Sequence, residues 1–549
     1  MLPMDQEIFS PTIFENGEHL FEQRVDLNRN LGYAVLEGLA TAKQRELLVD
    51  RTLEKRRVFS SRKLLAAALI FSQYLRREVS ESRVGIVLTP GIGATIANIA
   101  TIFADKVPVN LNFTAPREAT MTSIKKAGVK TVLSAGPFQE RFPDFPWPDR
   151  TIHIDKVMKS ISKGQFLSLM MRCMWASVER LAELYNIPQK GGHREAALLF
   201  TSGSSGEPKG VVLTHRNILA NIAQIESIGL IPQETRIFGC LPLFHSFGFT
   251  VTLWYPMVQG VHLVTVPSPL EFKKNARVIR EEDVTLFLGT PTFFRGYFKH
   301  ADPKDLDSLK YVVAGAEKTP EGFHEKWMER FSSLYLEGYG LTETTPVVSV
   351  NLPPFQLGSV MVPRMRKGSV GLLFPGMAAR TLHPETKEVN PLNKTGLLQL
   401  RGPNVFPGYL DSPELNAEVL KEGWFLTGDL GRLDDDGFLY IEGRLSRFSK
   451  IGGEMVPHGT IEQAIVAILG LEEEEGMPCM VTAQSSTTKG EELILLTACD
   501  VDMEFLQGEL KRCGFPNLWI PRKMKRVPEI PALASGKLDL QACQALAAD

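Results

Sequence analysis

The chain lacks the features that would assign it to several common classes of protein. Its six cysteines lie far apart and form no C-x-x-C pair, so they indicate neither a zinc site nor a disulfide framework. The formal net charge of −2 gives no overall attraction to nucleic acid, and we expect no nucleic-acid partner. The first residues contain no basic segment followed by an apolar one. These observations favour a cytoplasmic protein.

Long uncharged stretches are also scarce, and the two that occur are interrupted. Residues 84–104 predict a strand, a turn at Pro90-Gly91 and then a helix from residue 94. Residues 238–270 are interrupted by Pro242, His245, Pro256 and Pro267. Neither stretch therefore predicts a membrane-spanning helix.

The sequence instead has the pattern of a large layered protein. Its 549 residues exceed one ordinary hydrophobic core, so at least two domains are expected. Short apolar runs alternate with helical patterns, which is typical of α/β structure, and strands with turns dominate from about residue 378. We predict a large domain over residues 1–445, with layered α/β subdomains and a β-rich subdomain. Residues 446–549 then form a small α+β domain.

One loop is rich in hydroxyl groups and glycines and follows a short apolar strand at 196–200. Hydroxyls and freely turning glycine N–H groups can surround a phosphate, and a lysine follows to supply positive charge. The spacing is not that of a Walker loop, and by composition alone the segment could be an ordinary surface turn. Its order closely resembles the phosphate-binding signature of the adenylate-forming superfamily, which includes acyl-CoA synthetases, luciferases and nonribosomal adenylation domains. The residues concerned are Thr201, Ser202, Gly203, Ser204, Ser205, Gly206 and Lys209.

A second motif, Gly338-Tyr339-Gly340 followed by Thr342 and Glu343, resembles the Y-G-x-T-E motif of the same superfamily. The two glycines let the backbone approach a ligand closely, and the ring between them can lie against a planar base. A hydroxyl and a carboxylate suit a phosphate and its Mg²⁺ ion. The resemblance implies that Thr342 and Glu343 are catalytic, with Glu343 as a magnesium ligand.

Two further motifs strengthen the resemblance, although each alone would be unremarkable. Asp429 ends a Thr-Gly-Asp turn, and Arg444 follows Gly443. In the superfamily the matching carboxylate accepts hydrogen bonds from the ribose hydroxyls, and the arginine supports the ribose and phosphate region. Lys537 closes an Ala-Ser-Gly-Lys run and matches the lysine that neutralises charge while the acid oxygen attacks phosphorus.

Supporting positions match the adenine wall and the acid pocket of the superfamily. The first is the run Gly315-Ala316-Glu317, and the second is His245, which could equally be a buried core histidine. Two positions depart from the superfamily pattern. Ser446 and Arg447 stand where a Lys-Asp pair is usual at the domain hinge, and Leu533 replaces a threonine before the terminal Gly-Lys.

The resemblance covers roughly residues 30–545 and implies an AMP-forming ligase that uses ATP and Mg²⁺ and has a mobile C-terminal domain. A non-catalytic nucleotide sensor is the alternative from another class. A finer similarity, to the synthetase half of bacterial acyltransferase/acyl-acyl-carrier-protein synthetases, implies a medium- or long-chain fatty acid as substrate. It also implies acyl carrier protein as acceptor, with coenzyme A as the alternative. Six basic residues could bind an acidic carrier, namely Lys511, Arg512, Arg522, Lys523, Lys525 and Arg526.

Residues 154–185 differ in composition from their surroundings. Apolar side chains are dense there, and three lysines precede them, Lys156, Lys159 and Lys163. One interpretation is peripheral contact with a bilayer or with an acyl-chain carrier. The other is a helix buried against its own domain. The apolar residues are Phe166, Leu167, Leu169, Met170, Met171, Met174, Trp175 and Val178.

Overall fold

The structure is a computed structural model that describes residues 21, 23–42, 44–202, 207–357, 360–451, 454–471, 478–486, 490–531 and 538–548. Its α-helices are α1 (Leu31–Thr41), α2 (Ser61–Glu78), α3 (Ile92–Phe103), α4 (Arg117–Ala127), α5 (Gly136–Arg141), α6 (Ile154–Ser160), α7 (Lys163–Trp175), α8 (Val178–Leu184), α9 (His215–Ser227), α10 (Ser246–Phe249), α11 (Tyr255–Gln259), α12 (Phe272–Glu281), α13 (Pro291–His300), α14 (Phe323–Phe331), α15 (Pro413–Val419), α16 (His458–Ile468), α17 (Met503–Arg512) and α18 (Leu540–Ala548). Short 3₁₀ turns lie at Val25–Asn28, Pro303–Asp305, Thr342–Thr344 and Leu445–Arg447, and a π-helical turn at Thr250–Trp254.

The strands alternate with these helices through the first two thirds of the chain and dominate afterwards. They are β1 (Leu48–Asp50), β2 (Arg57–Phe59), β3 (Arg83–Ile86), β4 (Val107–Asn110), β5 (Thr131–Ser134), β6 (Arg150–His153), β7 (Glu195–Ser202), β8 (Pro208–Thr214), β9 (Arg236–Gly239), β10 (His262–Thr265), β11 (Leu286–Gly289), β12 (Tyr311–Ala314), β13 (Leu334–Gly340), β14 (Val347–Val350), β15 (Phe355–Leu357), β16 (Val360–Val362), β17 (Leu372–Leu373), β18 (Ala378–Leu382), β19 (Gly396–Arg401), β20 (Gly408–Tyr409), β21 (Leu420–Lys421), β22 (Trp424–Leu433), β23 (Leu439–Arg444), β24 (Phe448–Ile451), β25 (Glu454–Pro457), β26 (Cys479–Ser486), β27 (Gly490–Thr497) and β28 (Lys523–Arg526).

A nine-stranded sheet forms the centre of the N-terminal part, in the order β17-β14-β13-β12-β11-β9-β10-β1-β2. Its middle strands are parallel, and the helices α12, α13 and α14 connect β10 through β13. These strands are almost continuously apolar, as expected for strands covered on both faces. In open parallel sheets, ligands bind outside the carboxyl ends of the strands, so a ligand site is expected beside the segment after β12 and the end of β13.

Smaller sheets surround this one. Strands β4-β3-β5-β6 form a parallel four-stranded sheet, and β20-β8-β7 form a three-stranded sheet. The β-rich region contains a five-stranded antiparallel sheet in which β22 pairs with β19, β21 and β23. The expected α/β architecture with a β-rich region near the end of the large part is therefore confirmed.

The C-terminal part has hydrophobic cores of its own. Buried residues between Ile451 and Ile520 form one cluster, and a second cluster includes Met480, Leu496 and Cys543. Three strands, β26-β27-β28, pack there with α16, α17 and α18, which gives the α+β texture expected after residue 446. The domain boundary at 445/446 stays a prediction, and these separate cores are compatible with it.

Residues 154–185 differ from the expected single helix. They form α6, α7 and α8, and the breaks have local causes. The Ser162 hydroxyl accepts from the N–H of Gln165, whose side chain accepts from Ser162 N–H, and Ser177 caps α8. Among the residues that the structure describes, no helix is both long and apolar enough to cross a bilayer.

Candidate functional site

The first part of the site lies where β12 and β13 end side by side. Ala314 pairs with Glu337, so the segment beginning at Gly315 lies beside the Gly-Tyr-Gly run of β13. A Cβ atom on Gly315 would lie 3.6 Å from the Gly338 carbonyl oxygen and 3.6 Å from the Phe247 ring. Gly315 therefore lies between a backbone carbonyl and an aromatic ring. Such a close approach is expected if the Gly315 segment and the Gly338 segment both contact the same planar group of a ligand.

Glu317 is fixed by a neighbouring helix. Its Oε2 atom accepts from the Thr292 hydroxyl at 2.6 Å and from the Thr292 N–H at 3.2 Å. Ala316, just before it, has a φ of +69°. This conformation is uncommon for a residue other than glycine and is typical of a tight turn. The predicted adenine wall is thus a sharply turned segment tied to the start of α13.

Asp429 is at the centre of the second part of the site. The β22–β23 hairpin places it opposite Arg444, whose Nε atom lies 3.0 Å from Asp429 Oδ1. The Tyr339 hydroxyl donates to Asp429 Oδ2, and the Asp429 N–H donates to Thr427 Oγ1 at 3.0 Å. The Asp429 side chain is 4% exposed and that of Arg444 is 59% exposed. A buried carboxylate is therefore presented between a phenol and an accessible guanidinium.

The electrostatics of this cluster follow from its burial and charges. The Asp429 carboxylate raises the pKa of Arg444 above its ordinary value, against the opposing effect of burial. Burial, followed by the charge of Asp429, raises the pKa of Tyr339 well above its usual range. Arg444 therefore stays cationic and the Tyr339 phenol stays protonated, so that both remain donors to the carboxylate at neutral pH.

Thr342 and Glu343 lie on the 3₁₀ turn that follows β13. The Tyr409 hydroxyl donates to Glu343 Oε1 at 2.7 Å, and the oxygen atoms of Thr342 and Ser246 are 3.2 Å apart. The Phe406 N–H donates to the Glu343 carbonyl at 2.8 Å. Burial, and then the Glu343 charge, raise the pKa of Tyr409, so its phenol is a permanent donor. Partners from α10 and β20 thus hold both predicted catalytic side chains.

The phosphate-loop motif is joined to this cluster through Tyr409. Strands β7 and β8 form a hairpin in which Thr201 pairs with Lys209 and Ser202 with Pro208. The Lys209 ammonium lies 5.5 Å from the centroid of the Tyr409 ring, within reach of a cation–π interaction. The middle of the loop and the terminal lysine lie outside the described residues, namely Gly203, Ser204, Ser205, Gly206 and Lys537.

His245 immediately precedes α10 and is partly buried beside Phe244, with 4.7 Å between the ring centroids. The next two residues, Ser246 and Phe247, contact Thr342 and the Gly315 segment. Phe244 also packs edge-on against Phe113 at 5.3 Å, so His245 lies between polar site residues and an aromatic cluster. That cluster continues from Phe113 to Phe138 and Phe142. The position is compatible with the predicted substrate-side role and does not test it.

Sequence reasoning did not select several residues that contact the predicted ones, among them Tyr409, Ser246 and Phe247. Tyr409 follows a Pro-Gly pair, and Tyr339 is likewise preceded by a glycine. Tyr409 could have been selected because of this similarity. Ser246 and Phe247 directly follow His245, the residue that was predicted in this segment. Nothing in the spacing indicates which of these side chains faces the sheet edge.

The residues present fit a nucleotide-bound metal better than a resident one. Within the described ranges, no three or more histidine, cysteine or acidic side chains cluster closely enough to hold a metal ion. Mg²⁺ usually binds through one or two carboxylates together with phosphates and water. A single carboxylate from Glu343 suits that arrangement, and the buried acceptor Asp429 suits a ligand that carries hydroxyl groups.

Taken together, the sheet edge and its cluster of donors and acceptors are compatible with a nucleotide-binding α/β enzyme. The chain belongs to the AMP-binding enzyme family, which matches residues 37–410. It is 31% identical to a long-chain-fatty-acid–CoA ligase of Bacillus subtilis, over 65% of this chain and 62% of that protein. A long-chain-fatty-acid–CoA ligase of Yersinia pestis is 27% identical over 80% of this chain and 84% of its own length.

Solved structures with the same fold cover nearly the whole chain. O-succinylbenzoate coenzyme A synthetase from Bacillus subtilis, in complex with ATP and magnesium ion, superposes with a TM-score of 0.75 at 21% identity. The match covers 94% of this chain and 99% of that one. ATP-bound MatB from Rhodopseudomonas palustris gives a TM-score of 0.73, also at 21% identity, over 94% and 99% of the two chains.

The resemblance to adenylate-forming enzymes is therefore confirmed at the level of the family. The chain is an ATP-using, AMP-forming ligase, as expected. The two curated relatives described above are coenzyme A ligases, whereas the expected acceptor was acyl carrier protein.

Proposed function

We propose that the protein joins a fatty acid to the AMP moiety of ATP, with release of pyrophosphate. The acyl group of this acyl-adenylate is then transferred to the thiol of coenzyme A, with release of AMP. The observation that carries this proposal is the cluster of Tyr339, Asp429 and Arg444 beside the Glu343–Tyr409 pair. Four motif residues and Tyr409, which come from three separate parts of the sequence, supply together the acceptor, the cation and the metal-binding carboxylate that a magnesium nucleotide requires. A sensor that had lost catalysis would have no need to keep all of them.

Each side chain has a role that its position supports. Asp429 accepts from the ribose hydroxyls, Arg444 supports the ribose and phosphate, and Tyr339 lines the base while holding Asp429. Glu343 binds the Mg²⁺ that accompanies ATP. Bound Mg²⁺ withdraws charge from the phosphate oxygens and makes phosphorus easier to attack.

The hydroxyl loop and two lysines complete the phosphate site. Thr201, Ser202, the four loop residues 203–206 and Lys209 are proposed to bind the β- and γ-phosphates through N–H, O–H and ammonium donors. We further propose that residues 446–549 move as a unit and bring Lys537 to the α-phosphate. There its positive charge offsets the charge that develops as the carboxylate oxygen attacks.

A fatty acid is supported by the printed activity of the relatives and by the surroundings of His245. Four phenylalanines pack in series beside this histidine, and three of them are partly exposed, so an apolar chain could lie against them. The wall formed by these rings favours a hydrocarbon tail over a charged or short acid. The medium- or long-chain length expected from the sequence therefore remains our proposal.

Acyl carrier protein is the second candidate acceptor, because six basic side chains lie in the C-terminal part. Three of them are already paired with acidic neighbours: Arg512 with Glu509, Lys523 with Glu492, and Arg526 with Asp500. The positive charge available to an acidic partner is smaller than the sequence indicates. Together with the relatives' coenzyme A specificity, this favours coenzyme A as the acceptor.

A competition assay tests the proposal. The protein is mixed with MgATP, palmitate or octanoate, and equal concentrations of coenzyme A and holo acyl carrier protein. AMP release and both acyl products are then measured by mass spectrometry. We expect AMP formation and predominantly acyl-CoA, with both abolished in Asp429→Ala. If the main product is acylated acyl carrier protein, that protein replaces coenzyme A as the proposed acceptor. If neither fatty acid gives AMP release, the proposal that the substrate is a fatty acid is refuted.

A further inference from the structure

Helix α7 has one face in the core and a second apolar face in solvent. Leu169 and Cys173 are buried in the large core, and the helix packs along α2. Four other large apolar side chains, at spacings of four, seven and eight residues, form a stripe on the accessible side. They are Leu167, Met171, Met174 and Trp175, which are 60%, 55%, 47% and 82% exposed.

This stripe is unusual for a protein surface. Single exposed apolar residues are common, but a row of four on adjacent turns is a contiguous patch, which in folded proteins marks a surface that binds something. Nearly complete exposure of Trp175 at the end of the helix is costly in water. A tryptophan is well placed, by contrast, at the boundary between hydrocarbon and water in a bilayer.

The charges beside the stripe indicate what it binds. From residue 156 to residue 178 the chain has four cationic side chains and no acidic one, although the whole protein carries a net charge of −2. Lys156, Lys159 and Lys163 are exposed on α6 and at the start of α7, and Arg172 is exposed on α7 itself. An apolar stripe bordered by cations is complementary to a surface that is anionic outside and apolar beneath.

We propose that α7 docks on an anionic lipid bilayer, with Leu167, Met171, Met174 and Trp175 inserted among the acyl chains and the lysines at the headgroups. A second copy of the chain would bring the same cations face to face, so it matches the apolar stripe but not its charged border. An acidic protein would match the border and leave the stripe unexplained. The bilayer is the occupant that accounts for both.

The test uses the full-length protein and lipid vesicles, without ATP, fatty acid or coenzyme A, so its result is independent of the proposed activity. Binding is measured by co-sedimentation with vesicles of phosphatidylcholine alone or mixed with phosphatidylglycerol. We expect binding to the mixed vesicles that weakens as salt concentration rises. The triple change Lys156→Glu, Lys159→Glu, Lys163→Glu should weaken it about a hundredfold or more, because each lysine near an anionic surface contributes about fivefold.

The apolar contribution is tested by Leu167→Gln, Met171→Gln and Trp175→Gln together, for which we expect a loss of about tenfold or more. Its matched control is Leu53→Gln, Leu270→Gln and Met361→Gln, at three residues in other regions that are 59%, 60% and 58% exposed. The charge control is Lys55→Glu, Lys304→Glu and Lys394→Glu, three exposed lysines in other regions. Both controls should bind as the unmodified protein does. Thermal unfolding verifies that every variant is folded.

Three results would overturn the proposal. The first is no binding of the unmodified protein to the anionic vesicles. The second is an equal loss in the α7 variants and their matched controls, which would show that binding does not depend on this helix. The third is a dimer, seen by light scattering without lipid, that the α7 apolar variant alone abolishes. That result would make the stripe an interface between copies of the chain.

Discussion

The hydrogen bond from Tyr409 to Glu343 offers a sharp test of how the site is held. The phenol oxygen lies 2.7 Å from Glu343 Oε1, and the ring lies under the Lys209 ammonium at 5.5 Å. Tyr409→Phe removes the donor and keeps the ring, so the lysine contact and the packing of β20 remain. Only the orientation of the Glu343 carboxylate is then changed.

The size of the effect follows from the type of bond. A hydrogen bond to a charged group contributes about 1.5–3 kcal/mol. If Glu343 binds Mg²⁺ productively only in this orientation, the loss appears in the transition state for adenylate formation. At 1.36 kcal/mol per factor of ten, kcat/KM for MgATP should fall about 10- to 150-fold.

The assay is ATP–pyrophosphate exchange with a saturating fatty acid, repeated across a magnesium titration. Tyr440→Phe is the matched control, because its hydroxyl also donates to a carboxylate, Asp434, at 3.1 Å but away from the motif residues. We expect a reduced rate and a higher magnesium requirement for Tyr409→Phe alone. Exchange kinetics equal to those of the unmodified protein would refute the role assigned to this contact.

Three further predictions concern other parts of the molecule. Asp429→Asn should raise KM for ATP about tenfold or more with little effect on KM for the fatty acid. The reason is that an amide oxygen accepts hydrogen bonds more weakly than a carboxylate, and the amide NH₂ group repels the surrounding donors. Equal changes in the two KM values would contradict the assignment of Asp429 to the ribose. Lys537→Ala should slow adenylation about a hundredfold or more while sparing thioester formation from preformed acyl-adenylate, measured separately; equal losses would show that the lysine acts otherwise. Burial, with a smaller effect of Arg194, lowers the pKa of His215 to about 3 from 6.5, so the folded state resists protonation there. The free energy of unfolding should therefore decrease as pH falls below about 6.5, and this histidine should account for a decrease of about 2 kcal/mol at pH 5. Urea titrations at several pH values should show a shallower decrease for His215→Asn.

The sequence predicted the motifs better than it predicted their partners. Gly315 and Tyr339 could be expected at one sheet edge because both follow short apolar runs, and parallel strands end at the same edge. The contact between Tyr409 and Glu343 could not be predicted in that way. It depends on a two-residue strand, β20, pairing with β8 almost two hundred residues earlier, and so short a strand has no detectable period.

The segment 154–185 shows a different kind of failure. Its apolar density predicted one broad helix, yet the stop signals were present. Ser162 is followed three residues later by Gln165, the pattern of a capping box, and Ser177 begins another helix. Neither signal reveals which apolar side chains stay exposed, because that depends on where α2 lies, and so the stripe on α7 required the structure.

A common arrangement links the two carboxylates of the site. Asp429 and Glu343 each accept from a tyrosine whose burial keeps its phenol protonated, and each tyrosine belongs to a segment distant in sequence from its carboxylate. A carboxylate free to rotate would lose entropy on binding a ribose or a metal ion, whereas one already held by a neutral donor loses little and keeps its full charge. Because a phenol adds no charge of its own, it orients the carboxylate without competing for the cation that Glu343 is proposed to bind. A lysine or arginine in place of Tyr409 would orient Glu343 equally well but would repel Mg²⁺, which gives a physical reason for a tyrosine at this position.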